Sequence, residues 1–153
     1  MKFEKFLKRV GTYGQVLKFD NGDKWLICDG VGMKIPFGVN NLLGSGDVPE
    51  KVADLVELLL DADTEYKVML NRAQITPDGK ASDIIRVFEN PMHNLAVGIT
   101  NADFGLLEKA DFNLSCIEID KVDSEYYAGN KYLLIMDHAE DEVIGFIQGV
   151  PTV

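Results

Sequence analysis

The histidines, cysteines and carboxylates of this chain are the residues that could bind a metal ion or attack a substrate. His93 and His138 both fall in predicted turns, far apart in sequence, and neither has a second ligand at the spacing of a helical or zinc-binding pair. The acids beside His138 could hold a divalent ion weakly, but a charged hairpin tip explains them as well. They are Asp137, Glu140, Asp141 and Glu142. We therefore predict no metal site and no cofactor.

A nucleophilic centre needs a serine, cysteine or threonine beside a base. Ser45 lies between two glycines but lacks the strand, turn and helix of a hydrolase elbow. Cys28 and Cys116 lie in apolar segments, and two isolated cysteines favour buried free thiols over a disulfide. We predict no catalytic residues and no enzymatic activity. The alternative is an enzyme or small-ligand binder whose pocket is assembled from residues distant in sequence.

The net charge of -10 is unevenly distributed along the chain. Residues 1–36 contain seven Lys/Arg and four Asp/Glu, a local charge of +3, whereas residues 44–66 contain one Lys and seven acids, a local charge of -6. Residues 101–153 contain three Lys and eleven acids, which gives -8. Most of such a surface repels nucleic acid, so nucleic-acid binding is disfavoured and a protein partner or self-association is predicted.

The residues before position 11 have the pattern of an amphipathic helix. Phe3, Phe6, Leu7 and Val10 recur at i, i+3, i+4 and i+7, which predicts a helix over residues 2–10 that Gly11 ends. A helix this short needs tertiary packing, either on its own body or on another subunit. Three aromatic residues outside the main sheet are therefore candidate interface residues, with ordinary core packing as the alternative. They are Phe3, Phe6 and, from a predicted loop at 37–46, Phe37.

A second helix is predicted over residues 48–62. Asp47 is placed to cap it and Pro49 is tolerated in its first turn. Asp54, Glu57 and Asp61 then share the side opposite the apolar positions and form an acidic stripe. This stripe is a candidate surface for a basic partner, and an ordinary solvated face is the alternative.

The remaining segments predict strands. Residues 15–19 and 24–28 are predicted to form a hairpin around Asn21-Gly22. Residues 66–148 are predicted to form an antiparallel sheet, and we expect the rest of the chain to be organised around its segment 75–120. Residues 104–107 are predicted as one of its strands. The fold class is therefore α+β, with two helices packed on a mostly antiparallel sheet of seven to ten strands in one domain, 1–153.

Targeting signals and membrane spans are not predicted. The first ten residues lack an apolar segment after their basic residues, and no run approaches the roughly 18 apolar residues that a span needs. The expected location is the cytoplasm of a bacterial host, and a place in a virion stays open.

Two stretches, 22–30 and 78–88, resemble small uncharacterised proteins of phages and prophages of Gram-positive anaerobes. This resemblance implies a phage origin and no particular activity. The order of helices and strands is also similar to one domain of a DNA sliding clamp, although a clamp presents basic helices to DNA and the second helix here is acidic. The leading interpretation is a non-enzymatic binding or assembly protein that uses its acidic surface, with a homo-oligomer as one expected form. A sliding-clamp-like replication accessory protein is the alternative.

Overall fold

The computed structural model describes residues 1–39, 48–75, 84–137, 139 and 141–151. Within them the helices are α1 (Phe3–Val10), α2 (Glu50–Leu60) and α3 (Asn101–Phe104). The strands are β1 (Gln15–Lys18), β2 (Lys24–Cys28), β3 (Val31–Lys34), β4 (Met69–Ile75), β5 (Ile84–Asn90), β6 (Leu95–Thr100), β7 (Leu114–Glu118), β8 (Lys131–Met136) and β9 (Val143–Gln148). The predicted α+β class with antiparallel sheets is confirmed. None of the described helices is long and apolar enough to cross a bilayer.

The strands form two antiparallel sheets, where the sequence predicted one. The larger has the order β1-β2-β3-β9-β8-β7, and the smaller has the order β4-β5-β6. The expectation that residues 75–120 organise the chain was wrong, because β5 and β6 lie in the smaller sheet. The interior strands of the larger sheet are β2, β3, β9 and β8. In β8 every residue from Tyr132 to Met136 is buried, as expected for a strand covered on both faces.

Each face of the larger sheet supports its own hydrophobic cluster, because successive side chains of a strand point to opposite faces. We call them the inner cluster and the α2 cluster. The inner cluster packs α1 and the smaller sheet against one face. Its members include Phe6, Val10, Leu26, Met33, Phe88, Val97, Ile99, Leu133, Ile135 and Ile147. The α2 cluster packs α2 against the other face. Its members include Trp25, Ile27, Leu55, Val56, Leu59, Tyr132, Leu134, Met136 and Phe146. Helices α1 and α2 therefore lie on opposite sides of one sheet.

Residues 66–68 connect the two sheets. Lys67 forms an isolated bridge with Ser115 of β7, and the Val68 amide donates to the Leu114 carbonyl at 2.9 Å. Beyond Val68 the chain leaves β7 and pairs with β5 as β4, most of whose side chains are exposed. Gly98 of β6 forms a second bridge, with Val150.

The ends of both long helices follow from local chemistry. Gly11 takes φ 57° and donates its amide to the Leu7 carbonyl, so it ends α1 as predicted. Helix α2 begins at Glu50, two residues later than predicted, with extended Pro49 at its N-cap. A proline disfavours helical backbone at the residue before it, which keeps Val48 out of the helix. Asp47, the predicted cap, lies outside the described residues, as do residues 40–46 of the predicted loop.

Two tight turns set the register of β1, β2 and β3. The predicted β1–β2 hairpin is confirmed, but only Gly22 of its Asn-Gly pair has positive φ, at 94°. The two-residue turn with positive φ at both positions is Asp29-Gly30, between β2 and β3, at 49° and 79°. This combination is typical of a type I′ hairpin turn.

The predicted strand at residues 104–107 was wrong. Residues 101–104 form α3 instead, because the Thr100 hydroxyl accepts a hydrogen bond from the Asp103 amide at 3.1 Å and caps the turn. The apolar residues that follow, including buried Leu106, pack into the inner cluster from this turn.

Candidate functional site

Helix α2 presents the predicted acidic stripe to solvent. Its inner residues Leu55, Val56 and Leu59 are almost completely buried in the α2 cluster and fix the helix in orientation. Asp54, Glu57 and Asp61 are all exposed on the other side. Among the described residues, none of these three carboxylates takes part in an ion pair. The stripe is thus a row of exposed negative charges that have no ion-pair partner in the described part of the chain.

A loop with exposed apolar side chains lies beside α2. Lys51 of the helix places its Nζ 4.0 Å from the centre of the Tyr126 ring, which fixes the loop next to the stripe. Tyr126 is 67% exposed and packs edge-to-face on Tyr127, with 4.7 Å between ring centres. Val122, in the same loop, is 92% exposed. We define the α2 surface as Asp54, Glu57 and Asp61 together with Tyr126.

The ionisation of Tyr127 is consistent with this arrangement. Burial raises the pKa of the Tyr127 hydroxyl, and the neighbouring Tyr126 and the negative charge of Asp54 raise it further. Tyr127 therefore stays neutral at pH 7 and completes the α2 cluster at its outer rim. The Asp54 carboxylate therefore lies near the pair of tyrosine rings.

The three candidate aromatic residues have different positions. Phe6 is 1% exposed and belongs to the inner cluster, so we remove it from the candidate interface. Its place in the helical stripe directs it at the sheet, as ordinary core packing requires. Phe3 is half-buried and packs against the same cluster. Phe37 is fully exposed, in the turn after β3, and remains available for contact.

A recess with a cavity volume of about 360 Å³ lies at the C-terminal end of α2. Its charged lining comes from Asp23, Lys34, Asp141 and Glu142, beside the indole of Trp25. Lys34 pairs with Asp23 at 3.3 Å. Hydrogen bonds from Asn113 and from Lys67 hold the pKa of Asp141 below its usual range. Its carboxylates are thus partly engaged by the protein itself.

The residues considered for metal binding do not converge in the described part of the chain. His93 is exposed and stacks on Tyr66, with 3.7 Å between ring centres. His138 and Glu140 lie outside the described residues. No group of three or more histidine, cysteine or acidic side chains with metal-binding geometry occurs among the residues that the structure describes.

The two cysteines are free thiols and differ in burial. Cys116 is buried, as predicted, and burial raises its pKa to about 11. Cys28 is only partly buried, which departs from the prediction; burial, followed by the charge of Asp29, raises the pKa of its thiol. Neither thiol is poised to be a thiolate at neutral pH.

Comparison with known proteins finds no matching family model, no matching curated protein and no matching solved structure. The site is therefore defined by its own geometry.

Sequence reasoning found the acidic stripe but missed its aromatic neighbours. Asp54, Glu57 and Asp61 repeat with a helical period, which the sequence displays directly. Tyr126 lies in an irregular loop about 65 residues later, and only the tertiary fold brings it to α2. The adjacent tyrosines at 126 and 127, within a polar stretch, were the one available signal.

Proposed function

We propose that this chain is a non-enzymatic binding or assembly protein, encoded by a phage or prophage, that docks a protein partner on the α2 surface. The supporting observation is that three exposed carboxylates of α2, which have no ion-pair partner among the described residues, lie on the same helix that contacts exposed Tyr126. Tyrosine is enriched in protein interfaces, and charge at the rim steers association. The proposed place of action is the cytoplasm of a bacterial host, with the virion as the other candidate.

The test is affinity capture from a lysate of a Gram-positive anaerobe, with the wild-type protein and an Asp54→Asn/Glu57→Gln/Asp61→Asn variant as baits. Neutral isosteres remove the charge while the inner face of α2 is unchanged. We expect a partner enriched by the wild type to fall at least about tenfold with the variant, because several steering charges are lost together. Quantitative mass spectrometry of the captured proteins provides the measurement.

A matched control neutralises three exposed acids elsewhere. Asp20→Asn/Glu118→Gln/Glu142→Gln changes the net charge by the same amount and includes one carboxylate of the recess. Equal loss of the partner from both variants would assign binding to net charge and would overturn the proposal.

The small-ligand alternative would use the recess at the end of α2. A thermal-shift screen against nucleotides and divalent metals tests it, with Asp141→Asn as the control that should abolish any shift.

The sliding-clamp alternative is not favoured by any described feature. Helices α1 and α2 lie on opposite sides of the larger sheet, so they offer no common basic surface to DNA.

A further inference from the structure

A basic groove lies on the side of the molecule opposite α2. It has a volume of about 630 Å³ and runs between α1 and α3. Lys5, Arg9 and Arg86 supply three positive charges to its lining, and none of the described residues that line it is acidic, although Arg9 pairs with Asp103. The whole chain has a net charge of -10, so the charge at this groove has the opposite sign to that of the molecule.

The three cationic groups are already positioned. The Lys5 ammonium donates to the Gly105 carbonyl at 3.2 Å, and the Arg9 guanidinium pairs with Asp103. Arg86 donates from Nε to Asn101 at 3.3 Å and lies over the Phe104 ring, 4.9 Å from its centre. Because these contacts restrict the side chains, an anionic ligand would pay less conformational entropy to bind them. Guanidinium groups also match the planar geometry of carboxylates.

We propose that this groove binds the α2 surface of a second copy of the chain. The inference rests on the proposed function and names the partner of the α2 surface. The argument is charge complementarity. One side of the molecule carries fixed cations with an aromatic ring, and the other carries carboxylates that have no ion-pair partner among the described residues. Arg9 is already paired with Asp103, whereas Lys5 and Arg86 have no ion-pair partner among the described residues. A second copy supplies opposite charges to these two cations and to the carboxylates of α2.

The position of the two surfaces determines the kind of assembly. The groove and α2 are separated by the larger sheet and its two clusters, so one copy cannot satisfy its own charges. The contact is therefore heterologous, with the groove of one copy on α2 of the next. Such contacts build rings when the rotation closes and open chains when it does not.

The first experiment measures the mass of the purified wild-type protein by sedimentation velocity and light scattering. At about 50 mM salt and concentrations from about 1 μM to about 1 mM, we expect species larger than a monomer. Raising the salt to about 500 mM should weaken association at least about tenfold, because exposed charges are then screened. A monomer throughout this range overturns the inference, as does association that is insensitive to salt.

The second experiment uses two variants that each lose one surface. Lys5→Glu/Arg86→Gln alters the groove, and Asp54→Lys/Glu57→Lys alters α2. Each variant alone should be monomeric. An equimolar mixture should form a one-to-one dimer that grows no further, since one intact groove and one intact α2 surface remain per pair. Absence of this dimer from the mixture overturns the inference.

Controls separate folding from binding. Lys18→Glu/Lys24→Gln makes the same change in charge as the groove variant at exposed positions of β1 and β2, and should associate like the wild type. If Lys5→Glu/Arg86→Gln lowers the unfolding temperature, the single substitution Lys5→Glu replaces it as the groove variant. If the wild type is monomeric while capture from lysate still depends on α2, the second copy is excluded and the binding function stands.

Discussion

A single glycine of the larger sheet, Gly32, leaves space for an aromatic side chain of the α2 cluster. Gly32 of β3 lies opposite Phe146 of β9, and a Cβ at Gly32 would be 2.3 Å from the phenyl ring. The ring in turn packs on Trp25, with 5.9 Å between ring centres. The absence of a side chain at Gly32 thus makes room for the aromatic centre of the α2 cluster.

We expect Gly32→Ala to lower the free energy of unfolding by about 1–3 kcal/mol, the usual cost of overpacking a core. Chemical denaturation monitored by Trp25 fluorescence measures it. Gly129→Ala is the comparison, because Gly129 has open space around it but a φ of 86°, and its cost should be only about 1 kcal/mol of backbone strain. A smaller effect at Gly32 than at Gly129 would mean that the Phe146 ring moves aside freely.

The thiol of Cys28 should respond to the charge beside it. After burial, the largest cause of its raised pKa is Asp29, whose negative charge disfavours the thiolate. Asp29→Asn removes that charge, and asparagine tolerates the positive φ of this turn. The pKa of Cys28 should fall, so its alkylation at pH 8 should become faster.

Iodoacetamide labelling followed by mass spectrometry measures this rate. Cys116, with a pKa of about 11 from burial, is an internal reference that should stay slow in both proteins. An unchanged rate at Cys28 would show that burial alone controls its pKa.

At the scale of elements, α2 depends on its inner face. Leu59 is completely buried in the α2 cluster. Leu59→Ala should therefore destabilise the protein by about 2–5 kcal/mol through lost burial and a residual cavity. Met92→Ala removes an apolar side chain that is 90% exposed, and its effect should stay within about 0.5 kcal/mol. Thermal and urea unfolding measure the stability of both variants. Similar losses of stability from Leu59→Ala and Met92→Ala would contradict the packing of α2.

The elements that the sequence predicted are those set by local signals. Helix α1 has a complete apolar stripe with Gly11 behind it, and the β1–β2 hairpin has Asn21-Gly22. The failures have local causes too: Phe104 and its apolar neighbours resemble a strand, but the cap from Thr100 outweighs that pattern. Asp29-Gly30 has positive φ at both residues and so fits a type I′ hairpin turn better than Asn21-Gly22 does.

For the whole molecule, the larger sheet couples the two clusters. Alternate residues of β2 and β8 enter opposite clusters, for example Leu133 and Leu134. Loss of packing in either cluster would remove buried contacts from strands that both clusters share. The two sides of the sheet should therefore unfold together, in the cooperative manner usual for domains of this size.

A substitution in the inner cluster tests this coupling. Ile99 of β6 is completely buried there, whereas Trp25, the only tryptophan, belongs to the α2 cluster. Ile99→Ala should shift the unfolding transition seen by Trp25 fluorescence as far as the one seen by far-UV circular dichroism. Two separated transitions would show that the clusters unfold independently.

The partition of strands between two sheets could not be predicted from sequence. It depends on pairs far apart in the chain, such as β3 with β9, and on the connection that Lys67 makes with Ser115. Strand patterns specify which side of a strand is apolar, but they do not specify its neighbour. The basic groove and the acidic helix lie on opposite sides of the molecule because α1 and α2 pack on opposite faces of the larger sheet. This arrangement could not be predicted from sequence either.

Strand β4 has a practical consequence for work with the purified protein. Met69 and Ile75 are exposed on it, and among the described residues its outer edge has no ladder partner after Val68. An unpaired strand edge with apolar side chains can pair with another extended chain. We therefore expect partly unfolded copies to aggregate through β4 during concentration, freezing or long storage. Turbidity that grows slowly at high protein concentration would start at this strand, and a lysine introduced at Ile75 is the simplest protection for crystallisation stocks.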